Sequence, residues 1–187
     1  MSSSSTIFLL NKMFTSTGIS SSSGEGEWTN KIYFDPEADK SEGSDYKISD
    51  EDLKKKMTDL IEGEENIKII YAYECPIWGW QWSHNYLAHK FIVLETDKWW
   101  WSIEKNAEGI TIQRSKKLGY IKDRYRRNLR PKPVDEMKWD IGQRTMKELV
   151  EFLYKEDELH KRYNVFSQNC KHFAERIFDE IAKTKHL

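Results

Sequence analysis

Leu87-Ala88-His89-Lys90-Phe91-Ile92-Val93-Leu94-Glu95 is followed by Thr96-Asp97-Lys98 and then by Trp99-Trp100-Trp101-Ser102-Ile103-Glu104-Lys105. Two runs dominated by β-branched and aromatic residues thus flank a polar triplet. Such runs fit the pleated, half-buried surface of a sheet. The triplet is turn chemistry, so the segment predicts a β-hairpin. Upstream, residues 67–73 (Ile-Lys-Ile-Ile-Tyr-Ala-Tyr) read as a further strand. Downstream, Asn106-Ala107-Glu108-Gly109 is a second turn, and residues 110–114 form another strand. The pattern is an antiparallel meander.

Helices bracket it. Ser49 with Asp52 is an N-cap with an acidic residue three positions on, and Leu53, Met57, Leu60 and Ile61 then repeat on one helical face before Gly63. Thr145 with Glu148 is a second capping box, opening a helix that buries Leu149, Phe152, Leu153 and Leu159. The last helix is expected over 167–183, with Phe173, Ala174, Ile177, Phe178 and Ile181 inward. Residues 163–166 read as a short connection or strand. The expected fold is α+β, a small antiparallel sheet of about four or five strands packed against helices. Its domain is 49–187, after a disordered Ser-rich and acidic segment over 1–48. A short strand or docking patch around Trp28, Ile32, Tyr33 and Phe34 is the one structured element expected before that boundary.

Composition sets the outer limits. The chain has 187 residues, one domain of ordinary size with a tail. Thirty Lys and Arg against thirty-one Asp and Glu leave a net charge of -1, which argues against a globally basic nucleic-acid binder. Eight Trp, nine Tyr and eight Phe argue for a real core. Nothing in the sequence is apolar enough for a transmembrane helix, and Ile7-Phe8-Leu9-Leu10 is too short for a signal-peptide core. Cys75 and Cys170 are the only cysteines. They make no disulfide framework and no zinc pattern, which fits a reducing, cytoplasmic setting.

Residues 35–52 hold eight acids against two lysines and read as a solvated linker. Residues 114–132 hold nine basic residues and one acid. The basic run reads as a solvated face, as a partner for the acidic tract, or as a contact for an anionic surface.

One cysteine stands out by position. With Ser167 as N-cap, Cys170 falls in the first turn of the last helix. There the unpaired N–H groups and the helix dipole stabilise a thiolate and can receive an oxyanion. The plain alternative is a small buried residue topping a helix face. A nucleophilic thiol needs a base. His160 lies on a charged helix end, His172 points away from Cys170, His186 is terminal and His84 lies in the Trp-rich loop with Trp78, Trp80 and Trp82. His89 is in phase with Phe91 and Val93 at a strand end, as a core histidine or an active-site base would be. With Thr96-Asp97 as a two-residue turn, His89 lies opposite Glu104, whose carboxylate can orient the imidazole. With a three-residue loop the partner becomes Lys105. Cys75, followed by Pro76 and without a helix cap, reads as structural.

Asn169-Cys170-Lys171-His172-Phe173-Ala174, after Tyr163 and Val165-Phe166, resembles the Asn-Cys-x-His-Phe signature of circularly permuted papain-like thiol enzymes. These are the lecithin:retinol acyltransferase-like (LRAT-like) branch of the NlpC/P60 superfamily and the related PPPDE deSUMOylating-isopeptidase-like family. The likeness spans about residues 67–183 and is most specific at the cysteine. It implies the order His89, Glu104, Cys170, with Glu104 standing where the LRAT-like branch often has His. It implies a cysteine-dependent acyl hydrolase or acyltransferase working through a thioacyl intermediate on an acyl lipid or a peptide. No metal or organic cofactor is implied. The alternatives are an isopeptidase acting on ubiquitin-like tails, and an inactive module that binds protein or phosphate.

Overall fold

The computed structural model describes residues 32–40, 47–61, 63–77, 88–164 and 167–184. The expectations for the first 31 residues, for the Trp-rich loop with His84, for Val165-Phe166 and for His186 lie outside them.

The chain runs β1 (Ile32–Asp35), β2 (Lys47–Ile48), α1 (Asp50–Leu60), β3 (Ile67–Pro76), β4 (Ala88–Thr96), β5 (Trp100–Asn106) and β6 (Gly109–Ser115). It continues through α2 (Gly119–Lys122), β7 (Arg124–Tyr125), β8 (Asn128–Leu129), β9 (Asp135–Ile141), α3 (Met146–Lys155) and α4 (Cys170–Ile181). The fold is α+β. Its sheet, however, is larger than the meander expected. Seven strands stand in the order β2-β1-β6-β5-β4-β3-β9, and β7 pairs with β8 apart from them. The sheet is mixed, because β1 lies parallel to β6 while the other neighbours are antiparallel.

The folded body therefore begins upstream of the expected boundary at Ser49. Ile32, Tyr33 and Phe34 are buried in β1, and Asp35 is buried with them. Ser49 does cap α1, accepting from the Asp52 N–H at 3.1 Å. The Thr145–Glu148 box is formed in both directions at α3.

Period two explains why Phe91, Ile92, Val93 and Leu94 are all fully buried. Alternate residues face opposite sides of the sheet. Ile92 and Leu94 join Ile70, Ile103 and Ile112 against Leu53, Leu149, Phe173 and Ile177 of the helices. Phe91 and Val93 join Tyr73, Cys75 and Ile121 in a smaller cluster on the other face. A sheet covered on both faces reads as a continuous apolar run. Where α4 ends, Gly142 bridges Ala182. A Cβ on Gly142 would sit 2.4 Å from the Ile67 carbonyl oxygen, so only glycine allows that approach. Among the described residues, no helix is long and apolar enough to cross a membrane.

Candidate active site

The site forms where two strands part. β3 and β4 pair as far as Cys75↔His89 and Pro76↔Ala88. Pro76 has no N–H, so its pair with Ala88 cannot be a hydrogen-bonded one. The Ala88 carbonyl and, two residues on, the Lys90 N–H therefore point away from β3, toward the β5 side. The β4–β5 ladder has stopped before that level, running only from Glu95↔Trp100 to Ile92↔Ile103. The start of α4 fills the fork, with Cys170 Sγ 4.0 Å from the Ala88 carbonyl oxygen.

The hairpin register differs from the expected one. Its turn spans Thr96 to Trp99, closed by Thr96 N–H to the Trp99 carbonyl at 2.9 Å, with Thr96 Oγ1 accepting from the Lys98 and Trp99 N–H groups. The pairing is displaced by two residues from that of a Thr96-Asp97 turn. A displacement of two preserves the face of every side chain, whereas a displacement of one would reverse it. Glu104 thus still shares a face with His89, as a diagonal rather than a direct neighbour. Lys105, the alternative partner, points the other way. It is buried, donates to the Glu158 carbonyl at 3.3 Å and lies over the Phe173 ring.

His89 Nε2–H donates to Glu104 Oε2 at 2.7 Å, and its ring stacks on Phe91 at 6.2 Å. Arg130 Nη1 donates to the same Oε2 at 2.9 Å, and Nη2 donates to Oε1. Burial works against the Glu104 charge, but Arg130 and His89 override it and hold the carboxyl down at about 2.

The thiol side is built by a cap. Asn169, not Ser167, is the N-cap of α4, and Cys170 is its first residue. Asn169 Oδ1 accepts from the His172 N–H at 3.1 Å and from His172 Nδ1–H at 2.8 Å. His172 is thereby occupied with the cap. Cys170 and His89 lie close enough for each to shift the other's titration. Since Nε2 serves Glu104, Nδ1 is the ring atom left for the sulfur. Burial alone would raise the Cys170 thiol. The neighbouring His89, with the Lys90 and Lys171 N–H groups, brings it below its ordinary value. Burial alone would lower His89, yet Cys170 and Glu104 carry it up to about 9. Each group thus favours the charged form of the other, the thiolate of Cys170 and the imidazolium of His89.

No family model, curated protein or solved structure matches this chain.

Cys170, His89 and Glu104, singled out by position and order, are brought into one cluster. Two members were not foreseen. Cys75 sits directly across from His89, and burial pushes its thiol up to about 11, so it stays neutral. Arg130 looks in the sequence like one of nine surface charges. In fact Arg114 and Arg130 are buried, and Arg126 and Arg127 are tied to the body of the fold. Arg114 packs over Trp99 and donates to the Pro36 carbonyl, Arg126 pairs with Glu108, and Arg127 pairs with Asp35. Of the acidic tract, Asp35 pairs with the basic run, through Arg127. Nothing in local spacing marks Arg130, which lies 26 residues from its partner. Among the described residues, no cluster of three or more His, Cys, Asp or Glu is placed to hold a metal ion.

Proposed function

We propose that this chain is a cysteine-dependent acyl hydrolase or acyltransferase of the permuted papain-like kind, with Cys170 as nucleophile, His89 as acid and base and Glu104 as its orienting carboxylate. What supports the reading is one arrangement: a lowered thiol at a helix start, beside an imidazole whose Nε2 donates to a buried carboxylate.

The Cys170 thiolate adds to the carbonyl carbon of an ester or amide, forming the C–S bond and an oxyanion. The Cys170 and Lys171 N–H groups, lying ahead of the first intrahelical bond, are the donors for that oxygen. The tetrahedral adduct collapses, the C–O or C–N bond breaks, and the His89 proton goes to the leaving group. Neutral His89 then takes a proton from water or from an acceptor alcohol or amine, whose attack on the thioester releases the product and restores the ion pair. Water makes the chain a hydrolase, and another acceptor makes it a transferase. Acyl lipids and peptides or isopeptides both offer the required carbonyl.

Incubation with an activated acyl ester, followed by intact-mass and peptide analysis, tests the reading. An acyl adduct on Cys170 that is discharged by hydroxylamine and absent from Cys170→Ala is the expected result. An adduct that persists in Cys170→Ala removes this cysteine from the chemistry.

A further inference from the structure

We infer that Arg130 is a positioning residue of this site: its guanidinium fork, delivered by the β7–β8 hairpin, holds the Glu104 carboxylate so that Oε2 faces the His89 ring. The inference rests on reading Cys170 and His89 as the reacting pair.

The fork is built in. The Arg130 side chain is 2% exposed and both Glu104 oxygens receive one of its terminal nitrogens. Two parallel bonds to a planar carboxylate fix its orientation as well as its charge. The guanidinium lies 3.9 Å over the Phe91 ring, on which His89 also stacks. One ring thus sets the height of both of Glu104's partners.

The hairpin that carries Arg130 is strained. Arg126 and Arg127 form its turn at φ 46° and 70°, the left-handed region. Each such residue costs on the order of 1 kcal/mol or more and persists only when its surroundings impose it. They do so here. The Arg126 N–H donates to Gln113 and its side chain to Thr111 and Glu108. Arg127 takes both Asp35 oxygens and the Glu37 carbonyl. Beyond the turn, the Arg130 N–H donates to the Asp123 carbonyl at 2.9 Å. A structural filler at position 130 needs none of this, because an apolar side chain over Phe91 avoids burying a charge.

The groups facing the His89–Glu104 contact are Cys75 from β3, Cys170 from α4 and Tyr125 from β7, with Tyr163 facing Cys170. Arg130, reaching in from the chain after β8, adds a permanent positive charge against Glu104. Burial presses Glu104 toward its neutral form, and Arg130 is the largest influence opposing it.

The test uses the full chain with Arg130→Met and Arg130→Lys. Two readouts are followed against pH: alkylation of Cys170 by iodoacetamide, quantified by peptide mass spectrometry, and the His89 ring signal by NMR. In Arg130→Met, Glu104 protonates and the imidazole loses its anion. The His89 midpoint should fall by about one pH unit or more, and alkylation on the acid limb should slow about tenfold per unit of displacement. Arg130→Lys, which keeps the charge but not the fork, should fall between. It also serves alone if Arg130→Met does not fold. Unmoved midpoints with lowered stability overturn the inference, since a merely structural arginine would give that. A His89 midpoint that rises also overturns it, since removing a simple through-space charge would do that. Should wild-type Cys170 alkylate as an ordinary thiol, the proposed function falls. The His89 shift between wild type and variant then still decides the role of Arg130.

Discussion

Two histidines of this chain are each held by two partners, and they do different things. His89 sits between the Glu104 carboxylate and the Cys170 thiol, with 12% of its side chain exposed. His160 sits between two carboxylates, Asp157 at 2.6 Å and Asp50 through its other nitrogen, with 37% exposed. Both are shifted upward, His160 chiefly by its bond to Asp157 and then by Asp50. An acid beside an imidazole is therefore no mark of catalysis. His160 ties the first residue of α1 to the turn after α3, where Asp157 takes a positive φ of 54°. His89 differs because one partner is the thiol we propose as nucleophile and because solvent is nearly shut out, which strengthens every charge interaction in the fork.

The largest effects should separate the two. Cys170→Ala or His89→Ala should lower acyl-enzyme formation on the order of 10³-fold or more, because members of such a unit fail together. His160→Ala should leave the rate unchanged. Stopped-flow release of an ester chromophore measures both. Equal losses at the two histidines would erase the distinction.

Next in size is Glu104→Gln, expected to slow turnover by about 10²- to 10⁴-fold through a misoriented imidazole. It should also change acid stability with a definite sign. The Glu104 carboxyl ordinarily titrates near 4.5 and is held at about 2 in the folded chain. Its contribution is therefore present above 4.5 and lost as pH falls toward 2. Urea unfolding across that window should show a loss in the wild type that Glu104→Gln lacks.

Much of this contrast was legible in the residues, for reasons that can be named. His89 and Glu104 are on one face because strand periodicity is two, and it survived a turn misjudged by two residues. Thr96 closes a wider turn with its hydroxyl than its neighbours suggest. The helix start moved from Ser167 to Asn169 because Asn169 serves both the His172 backbone and its ring, a double use that spacing does not reveal. β1 could be read only as a short strand or docking patch outside the domain, because its partner β6 lies far along the chain and the pairing is parallel. Arg130 was hidden among like charges, since only tertiary structure tells an inward arginine from a solvated one. The circularly permuted papain-like assignment rests on the residues around Cys170 and on their order.

The Asn169 cap offers a smaller test. Asn169→Ala removes the acceptor for the His172 N–H and should cost about 1 kcal/mol of stability, as cap losses do. It also frees the His172 ring, which is now bonded to the cap. The His172 ring signal should shift while that of His89 does not, so the comparison gains a third imidazole with a purely local role.

The smallest effect belongs to His160. Exposed ion pairs contribute about 0–1 kcal/mol, so His160→Ala should destabilise by no more than that. Its pH dependence still carries information. A histidine raised by folding adds stability that is complete below its ordinary value of 6.5 and disappears as pH rises through its folded value. The difference between wild type and His160→Ala should therefore be largest in mildly acidic buffer and vanish in alkaline buffer, by chemical denaturation. The same variant should leave the pH dependence of Cys170 alkylation unmoved. A change there would mean that the tether at α1 reaches the fork, and the two histidines would have to be treated as one coupled system.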